Sequence, residues 1–550
     1  MRKPYECLQA VAMFLARSSV PTHDHKSMRA TQYYHPIRSV SWCAFSWLLC
    51  LLFSGCALPS LEGRPYSLAL SVAEAQATAL GRAILPEAEK HPGMSGIRDL
   101  RNPHDAFAAR LLLARAAERT LDIQYYIWHK DVTGVLMLEA IHNAAKRGVR
   151  VRLLLDDNGI RDLDAELAAL DTHPNIEVRI FNPFIVRKPK WVGYLTDFPR
   201  VNRRMHNKSF TADSMATIIG GRNMGDEYFG ATEGVLFADL DVFAAGPIAQ
   251  DVSADFDRYW ASASSYPASV ILPPGDPDLL ERLTATVSDL EGTSAASTYV
   301  AAVRKSKFIQ QLLDNDLELE WAQVSMVSDD PAKGLGGAAP EGLLIHQMNE
   351  ILGVPEKTMD LISPYFVPTA AGVTAFSEMV QRGVDVKVLT NSLNATDVAA
   401  VHAGYAKRRK DLLKAGVTLY EMRRLSPELE RNKSAGPFGS SGSSLHAKTF
   451  AVDDQRIFVG SFNFDPRSAN LNTELGFVID SPALASRIDA IFRDKVLTSS
   501  YQVKLGENGK IYWLEQDEGE TVRHTKEPRA SLWRRSMAFL LSLLPIEGLL

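Results

Sequence analysis

The sequence predicts an α/β protein of two similar lobes, each a mixed sheet flanked by helices, related by an approximate two-fold with one active site between them. Three observations predict it. The stretches His206-Asn207-Lys208-Ser209-Phe210-Thr211-Ala212-Asp213 and His446-Ala447-Lys448-Thr449-Phe450-Ala451-Val452-Asp453 repeat His, Lys and Asp at the same offsets. Seventeen residues beyond each His stands an Asn, Asn223 or Asn463, preceded by a small pair, Gly220-Gly221 or Gly460-Ser461. The segments upstream of both motifs repeat the same order of strand and helix, which is the mark of an internal duplication.

Composition alone predicts about 0.2 loose His-x-Lys-x4-Asp matches in a chain of this length, so a gapless pair followed by matched asparagines is no coincidence. A third His-x-Lys, His524-Thr525-Lys526, has Ser531 where the Asp should stand and is incidental. With 550 residues, 46% hydrophobic and 23% charged, the chain is globular and has room for two or three domains. Sixty basic residues against 65 acidic give a net charge of -5, which argues against nucleic acid as a partner.

The elements follow in order. All four cysteines, Cys7, Cys43, Cys50 and Cys56, lie in the first tenth of the chain, so no residue after Cys56 can enter an internal disulfide. Residues 1–55 read as a signal region: Arg38 precedes an apolar run, Val40 to Phe53, too short to span a bilayer and suited to a signal core. The run ends in Phe53-Ser54-Gly55-Cys56, which resembles a bacterial lipobox with Phe in place of the usual Leu. Cys56 is then the lipidated first residue of the mature protein, and Met28 is an alternative start.

Residues 56–96 form a linker, and 97–262 the first lobe. Within it Leu121 to Ile127 reads as a strand, a helix runs to Ala145, Lys146-Arg147-Gly148 turns the chain, and Val149 to Leu155 and Ile176 to Ile180 are further strands. His206 and Lys208, two residues apart on a strand, share one face; Asp213-Ser214 turns, and Ala216 to Ile219 returns. Asp156-Asp157, at a strand end, read as a solvated turn rather than a cation site.

The second lobe, 342–500, repeats the path: Met359 to Ile362, Gln381-Arg382-Gly383, Val384 to Leu389, Val417 to Tyr420, then the motif. Residues 263–341, rich in Ala, Ser, Pro and Gly, are a connector with helical pieces, and Ser434 to Ser444 is a Gly/Ser-rich loop at the rim of the site. Residues 501–550 are an extension. Its stretch Leu532 to Leu541, apolar with basic residues at one end, lies on a membrane surface or docks on the core.

Imidazole can attack phosphorus or protonate a leaving oxygen near neutral pH, and displacement at a phosphodiester needs both jobs on opposite sides. Two motifs related by a two-fold supply one His to each side. Lys208 and Lys448 are placed to neutralise the nonbridging oxygens, and Asn223 and Asn463 to hydrogen-bond them. This chemistry calls for no metal and no other cofactor. Asp213 and Asp453, counted with the catalytic set by motif, also suit a hairpin turn for its own sake. Gly220, Gly221 and Gly460 provide close backbone approach.

His-x-Lys-x4-Asp twice, each followed by Gly-Gly/Ser-x-Asn, resembles the phospholipase D superfamily over roughly residues 97 to 500. Ile219 to Phe229, Thr390-Asn391-Ser392-Leu393, Trp533-Arg534-Arg535 and Leu543 to Glu547 resemble the bacterial C-type cardiolipin synthase branch. The resemblance implies a phosphohistidine intermediate, with His206 as nucleophile and His446 as general acid and then base. It also implies an acidic residue behind each His; Asp239 and Glu474 fit by local context, at unequal offsets of 33 and 28 from the His of their own half.

The substrates this implies are phospholipids: phosphatidylglycerol, with phosphatidylethanolamine as an alternative donor. Transfer to a lipid alcohol yields cardiolipin; transfer to water makes the enzyme a phospholipase D releasing phosphatidic acid. A nuclease of the same superfamily and an idle lipid-binding lipoprotein are the remaining readings, opposed by the net charge and by the two intact motifs. The basic runs Arg187-Lys188-Pro189-Lys190 and Lys407-Arg408-Arg409-Lys410 suit anionic headgroups or a solvated loop. A monomer can complete the site. The chain is expected in the bacterial envelope, tethered through Cys56 with the catalytic part outside the cytoplasm.

Overall fold

Apolar runs without alternation, such as Leu153-Leu154-Leu155, demand a strand covered on both faces, and the computed structural model places them so. It describes residues 58–231, 238–291, 294–306, 308, 311, 317–424, 445–517 and 519–550. The expectations for the signal region, for Cys56 and for the rim loop 434–444 fall outside these residues.

In the first half, β1 (Ser95–Leu100), α1 (Pro103–Ala116), β2 (Thr120–Ile127), α2 (Val132–Lys146), β3 (Arg150–Gly159) and β4 (Ile176–Phe181) lead to two short helices, α3 (Trp191–Thr196) and α4 (Phe198–Val201). Next come β5 (Ser209–Ala212), β6 (Ala216–Gly220), α5 (Asp226–Phe229), β7 (Asp241–Ala245), α6 (Pro247–Trp260) and β8 (Ser265–Pro267). The pairings give the order β8-β4-β3-β2-β5-β6-β7-β1, parallel from β2 to β4 and antiparallel elsewhere.

After a helical stretch and β9 (Glu320–Ser328), the second half repeats the plan. Here β10 (Thr358–Ile362), α7 (Thr369–Gln381), β11 (Asp385–Asn391), α8 (Ala399–Ala415), β12 (Thr418–Met422), β13 (Thr449–Val452), β14 (Arg456–Gly460) and β15 (Leu475–Asp480) precede β16 (Ser500–Leu505), β17 (Ile511–Asp517), β18 (Glu520–His524) and α9 (Leu532–Ser542). The order is β9-β15-β14-β13-β10-β11-β12-β16-β17-β18, again parallel only from β10 to β12.

One strand belongs to both sheets. Glu320, Trp321 and Ala322 of β9 pair with Ile97, Gly96 and Ser95 of β1, while Gln323 to Ser328 pair with β15. The segment 263–341 therefore contains the strand that joins the halves. β16 to β18, in the predicted extension, widen the second sheet. α9 packs on α8 and buries Ala538, yet leaves Trp533 and Phe539 on the outside. The helix thus docks on the body and keeps an apolar outer face.

Asp156 and Asp157 are fully buried, which corrects the solvated-turn expectation. Asp156 accepts hydrogen bonds from Arg204 and from the Met205 N–H, and Asp157 is paired with Arg187 and Lys190. The basic runs expected at lipid headgroups are largely spent in this way: Arg187 also reaches Asp164, Arg408 binds Glu547, and Arg409 bridges Glu421 and Glu527. Buried carboxylates need such partners because ionised groups are costly to take out of water.

Asp213 and Asp453 hold the fold. Each takes a left-handed backbone at the hairpin turn, φ 50° and 54°. The Asp213 carboxylate accepts the N–H groups of Glu118, Arg119 and Thr120 at the start of β2, at 2.9, 2.8 and 2.8 Å. Asp453 does the same for Glu356, Lys357 and Thr358 at the start of β10. Neither carboxylate is directed at the imidazoles, so the two are clasps of the central strands and not members of the reacting set.

Asp213→Ala leaves three N–H groups without their acceptor and should cost about 3 kcal/mol or more in urea unfolding. Asp453→Ala, at a half-buried clasp, should cost about 1–2 kcal/mol. Equal unfolding midpoints for Asp213→Ala and the parent would refute the clasp.

Candidate active site

Two backbone bridges between the halves place the imidazoles. Met205 pairs with Thr473, so that the His206 N–H donates to the Thr473 carbonyl at 2.9 Å. Ala238 pairs with Leu445, and its carbonyl accepts the N–H groups of His446 and Ala447 at 2.9 and 3.0 Å. The residue after each bridging partner is an acid. His206 Nδ1 therefore meets Glu474 Oε2 at 2.8 Å, and His446 Nδ1 meets Asp239 Oδ2 at 2.6 Å.

Both predicted acids serve the predicted histidines, but crossed: each comes from the opposite half. The unequal offsets counted along the chain within one half therefore carried no meaning. With the Nδ1–H donated to a carboxylate, Nε2 of each ring is the atom left for chemistry.

Local sequence makes room for the acids. A Cβ on Gly221 would stand 2.1 Å from Asp239 Oδ1, so only glycine fits beside that carboxylate. At the matching position Ser461 donates to Glu474 Oε2 at 2.5 Å, and Ser468 donates to the other oxygen at 2.8 Å. Lys208 and Lys448 each donate back to the carbonyl of the His two residues earlier, at 2.5 Å. Lys448 Nζ also stands 3.3 Å from both ring nitrogens of His446.

All six of these ionisable groups are buried, and their charges act on one another. Burial, with Lys208, Lys448 and Arg467 behind it, holds His206 well below the usual imidazole range. Burial and Lys448 lower His446 to about 4 against the pull of Asp239. Burial raises Glu474 to about 7 despite Lys208 and the Ser461 hydroxyl. Burial also opposes the Asp239 charge, but His446, Lys448 and Arg222 overcome it and keep this carboxylate ionised. Lys448 is lowered by burial to about 8, and Lys208 is driven down by burial more strongly still. Each imidazole feels both lysines, so the two motifs make one electrostatic unit.

The asparagines part company. Asn223, expected at the substrate, accepts the Ile127 N–H and donates to the Tyr228 hydroxyl inside the first half. Asn463 borders a cavity of about 80 Å3 with Tyr126, His206, Tyr365, Asp465 and Arg467. Its Oδ1 is buried without a hydrogen bond among the described residues.

Sequence reasoning missed the tyrosines. The Tyr126 ring stands edge-on to His206 at 5.0 Å and that of Tyr228 edge-on to His446 at 5.2 Å, while Tyr365 donates to Asp397. Tyr126 closes a predicted strand, and Tyr228 lies in the Gly-rich stretch behind the motif; nothing in period or spacing separates them from core aromatics. Among the described residues His129, Asp131 and Glu227 could hold a metal ion, their ligand atoms lying within 4.8 Å of one another. Asp131 there caps α2 through the Gly134 N–H and accepts the Asp226 N–H, and His129 faces Glu227 at 3.2 Å, a contact that locks α5 onto α2.

The family described as "Cardiolipin synthase, PLD-like domain" matches residues 112–260 and 348–496, one match in each half. The chain is 49% identical over 471 residues to cardiolipin synthase C of Escherichia coli (strain K12), covering 86% of this chain and 99% of that one. It is 25% identical over 447 residues to cardiolipin synthase A of Pseudomonas putida (strain GB-1), covering 80% and 76%. Among solved structures, phosphatidylserine synthase of Haemophilus influenzae Rd KW20 shares the fold at 14% identity, with a TM-score of 0.53 over 84% of this chain and 99% of that one.

The two acids should not be equivalent. Burial raises Glu474 to about 7 and so weakens its hold on a proton-bearing ring, and Glu474→Gln should lower turnover of a soluble phosphodiester by about tenfold or less. Asp239→Asn removes a charge that is always present and should cost on the order of a thousandfold. Equal losses would refute the asymmetry. Lys448 is charged below about 8 and neutral above it, so the rate should fall as pH rises through that value. In Lys448→Arg the residual activity should keep its level to higher pH; an unmoved alkaline limb would exclude Lys448 as its source.

Proposed function

The chain belongs to the phospholipase D superfamily, in its cardiolipin synthase, PLD-like family, and from that premise we propose that it is a phosphatidyltransferase that makes cardiolipin from phosphatidylglycerol. His206 Nε2 attacks phosphorus, the bond to the headgroup glycerol breaks, and His446 gives its proton to the departing oxygen. The acceptor's hydroxyl then loses its proton to His446, and its oxygen displaces His206 from phosphorus. Cardiolipin and glycerol result, and both rings return to their starting state.

The observation that carries this reading is the crossed pair of histidine–carboxylate contacts under two shared lysines. The division of labour follows the electrostatics. His206, held far below the usual range beside a carboxyl near neutrality, is the uncharged nucleophile; His446, backed by an ionised Asp239, is the ring better able to carry a proton. Lys208 and Lys448 offset the negative charge on the nonbridging oxygens, and Asn463 borders the same cavity. One chain supplies both pairs, so a monomer suffices. Burial of the set supports transfer over hydrolysis, because a lipid alcohol must compete with water for the intermediate. Phosphatidylethanolamine is the second donor to test.

We place the catalytic body at a membrane surface of the envelope, outside the cytoplasm and tethered through Cys56. Among the described residues no helix is long and apolar enough to cross a membrane.

Purified protein given labelled phosphatidylglycerol, alone and with phosphatidylethanolamine, should yield cardiolipin in excess of phosphatidic acid; phosphatidic acid as the main product would replace transfer by hydrolysis. His206→Ala and His446→Ala should each abolish turnover, and only His446→Ala should retain label on the protein after acid-free denaturation. Label on His206→Ala instead would exchange the two roles.

A further inference from the structure

The mouth of the His206 cavity is walled by both halves. Arg467 lines it and donates to Asn202 Oδ1 and to the Asn202 carbonyl, at 2.9 and 2.6 Å, which ties down the end of α4. The Arg467 N–H donates to the Leu550 carbonyl at 2.6 Å, and Leu549 and Leu550 line the same cavity. On the other flank Tyr194 of α3 donates to Asn158, and Asn158 donates to the hydroxyl of Tyr126, whose ring abuts His206. The helices α3 and α4 and the segment that follows α9 thus meet around one opening.

Both flanks carry bare apolar side chains. In the first half Trp191, Leu195 and Phe198 are 61%, 76% and 42% exposed; in the second, Trp533, Phe539 and Leu543 are 72%, 64% and 67% exposed. Isolated exposed apolar residues need no explanation, but two groups of three on helices tied to the lining of one cavity do, α3 and α4 through Asn158 and Asn202 and α9 through α8 and the Leu549–Leu550 segment. Charge follows the same pattern. Residues 185–196 hold Arg187, Lys188 and Lys190 with no acid, and residues 528–546 hold Arg529, Arg534 and Arg535 with no acid. Of these, Arg187, Lys190 and Arg529 are paired within the fold, while Lys188 and Arg535 stand beside the apolar groups.

We propose that these two apolar groups form a bilayer-docking rim around the cavity mouth, seated in the interfacial region of an anionic membrane, with Leu549 and Leu550 continuing the apolar surface from α9 to His206. The inference rests on the lipid-transfer reading for its occupant: a substrate with two acyl chains stays in the bilayer while its phosphodiester reaches the rings. Tryptophan at both edges, with Lys188 and Arg535 close by in the chain, suits the headgroup region of an anionic membrane. A helix that lies in the interface by one face must be fixed by the other, and α9 is fixed on α8.

Two measurements on the full chain test it. In vesicles of brominated phosphatidylglycerol, docking quenches Trp191 and Trp533, so the quenched fraction of tryptophan emission should be smaller in W191F/W533F than in the parent; an equal fraction overturns the rim. Trp533→Asp with Phe539→Asp should lower the initial rate on phosphatidylglycerol vesicles by about tenfold or more. The same variant should match the parent on a short-chain phosphatidylglycerol dispersed as monomers. An equal loss on both substrates, or a dimer in lipid-free solution that this variant dissociates, would overturn the proposal. Quenching without any turnover would sink the transfer reading and leave the rim standing, and turnover on vesicles undiminished by the variant would do the reverse.

Discussion

Each reacting ring is oriented by a carboxylate that its own half does not contain. Glu474 and Asp239 reach His206 and His446 across two backbone bridges, Met205 with Thr473 and Ala238 with Leu445. A half on its own would hold a histidine with no acid behind it and an acid with no histidine in front, both buried. The penalty for an unpaired buried charge is several kcal/mol, so the halves are committed to one another by the same contacts that prepare the chemistry. The strand β9, paired with β1 at one end and β15 along the rest, fixes the spacing at which those contacts close.

The remaining polar groups in the interior serve that arrangement. Asp213 and Asp453 set the first residue of β2 and β10, the strands against which β5 and β13 lie, and so fix the register of the strands that follow each His. Asp122 with Arg152, and Asp156 with Arg204, neutralise charge on the same sheet. These contacts share a logic: a carboxylate accepts two or three N–H groups and pins a strand end that apolar packing would leave free to slide.

Much of this was legible in the sequence because duplication announces itself. The His, Lys and Asn offsets match without gaps, and the order of strand and helix upstream repeats, which is enough for the two halves and a shared site. The pairing across halves was hidden, since the bridge that carries Glu474 to His206 spans 268 residues and no local period encodes it. Asn223 and Asn463 look alike along the chain; their fates differ because Tyr228 and the Ile127 N–H claim the first and leave the second at the cavity. Asp156 and Asp157 read as surface because their counter-ions, Arg204, Arg187 and Lys190, lie 30 or more residues ahead.

An exact two-fold would give two interchangeable histidines, with the substrate alone deciding which attacks and which protonates; here the two already differ. The differences lie at two positions. Where one half has Gly221 beside Asp239, the other has Ser461 and Ser468 donating to Glu474; burial raises Glu474 to about 7 against those two hydroxyls, while His446, Lys448 and Arg222 keep Asp239 charged. The repeated plan supplies the opposed geometry, and the differences in acid length and small residue give the two rings unlike electrostatic neighbours. The motifs in front of the two rings match, and the two rings differ in the residues behind them.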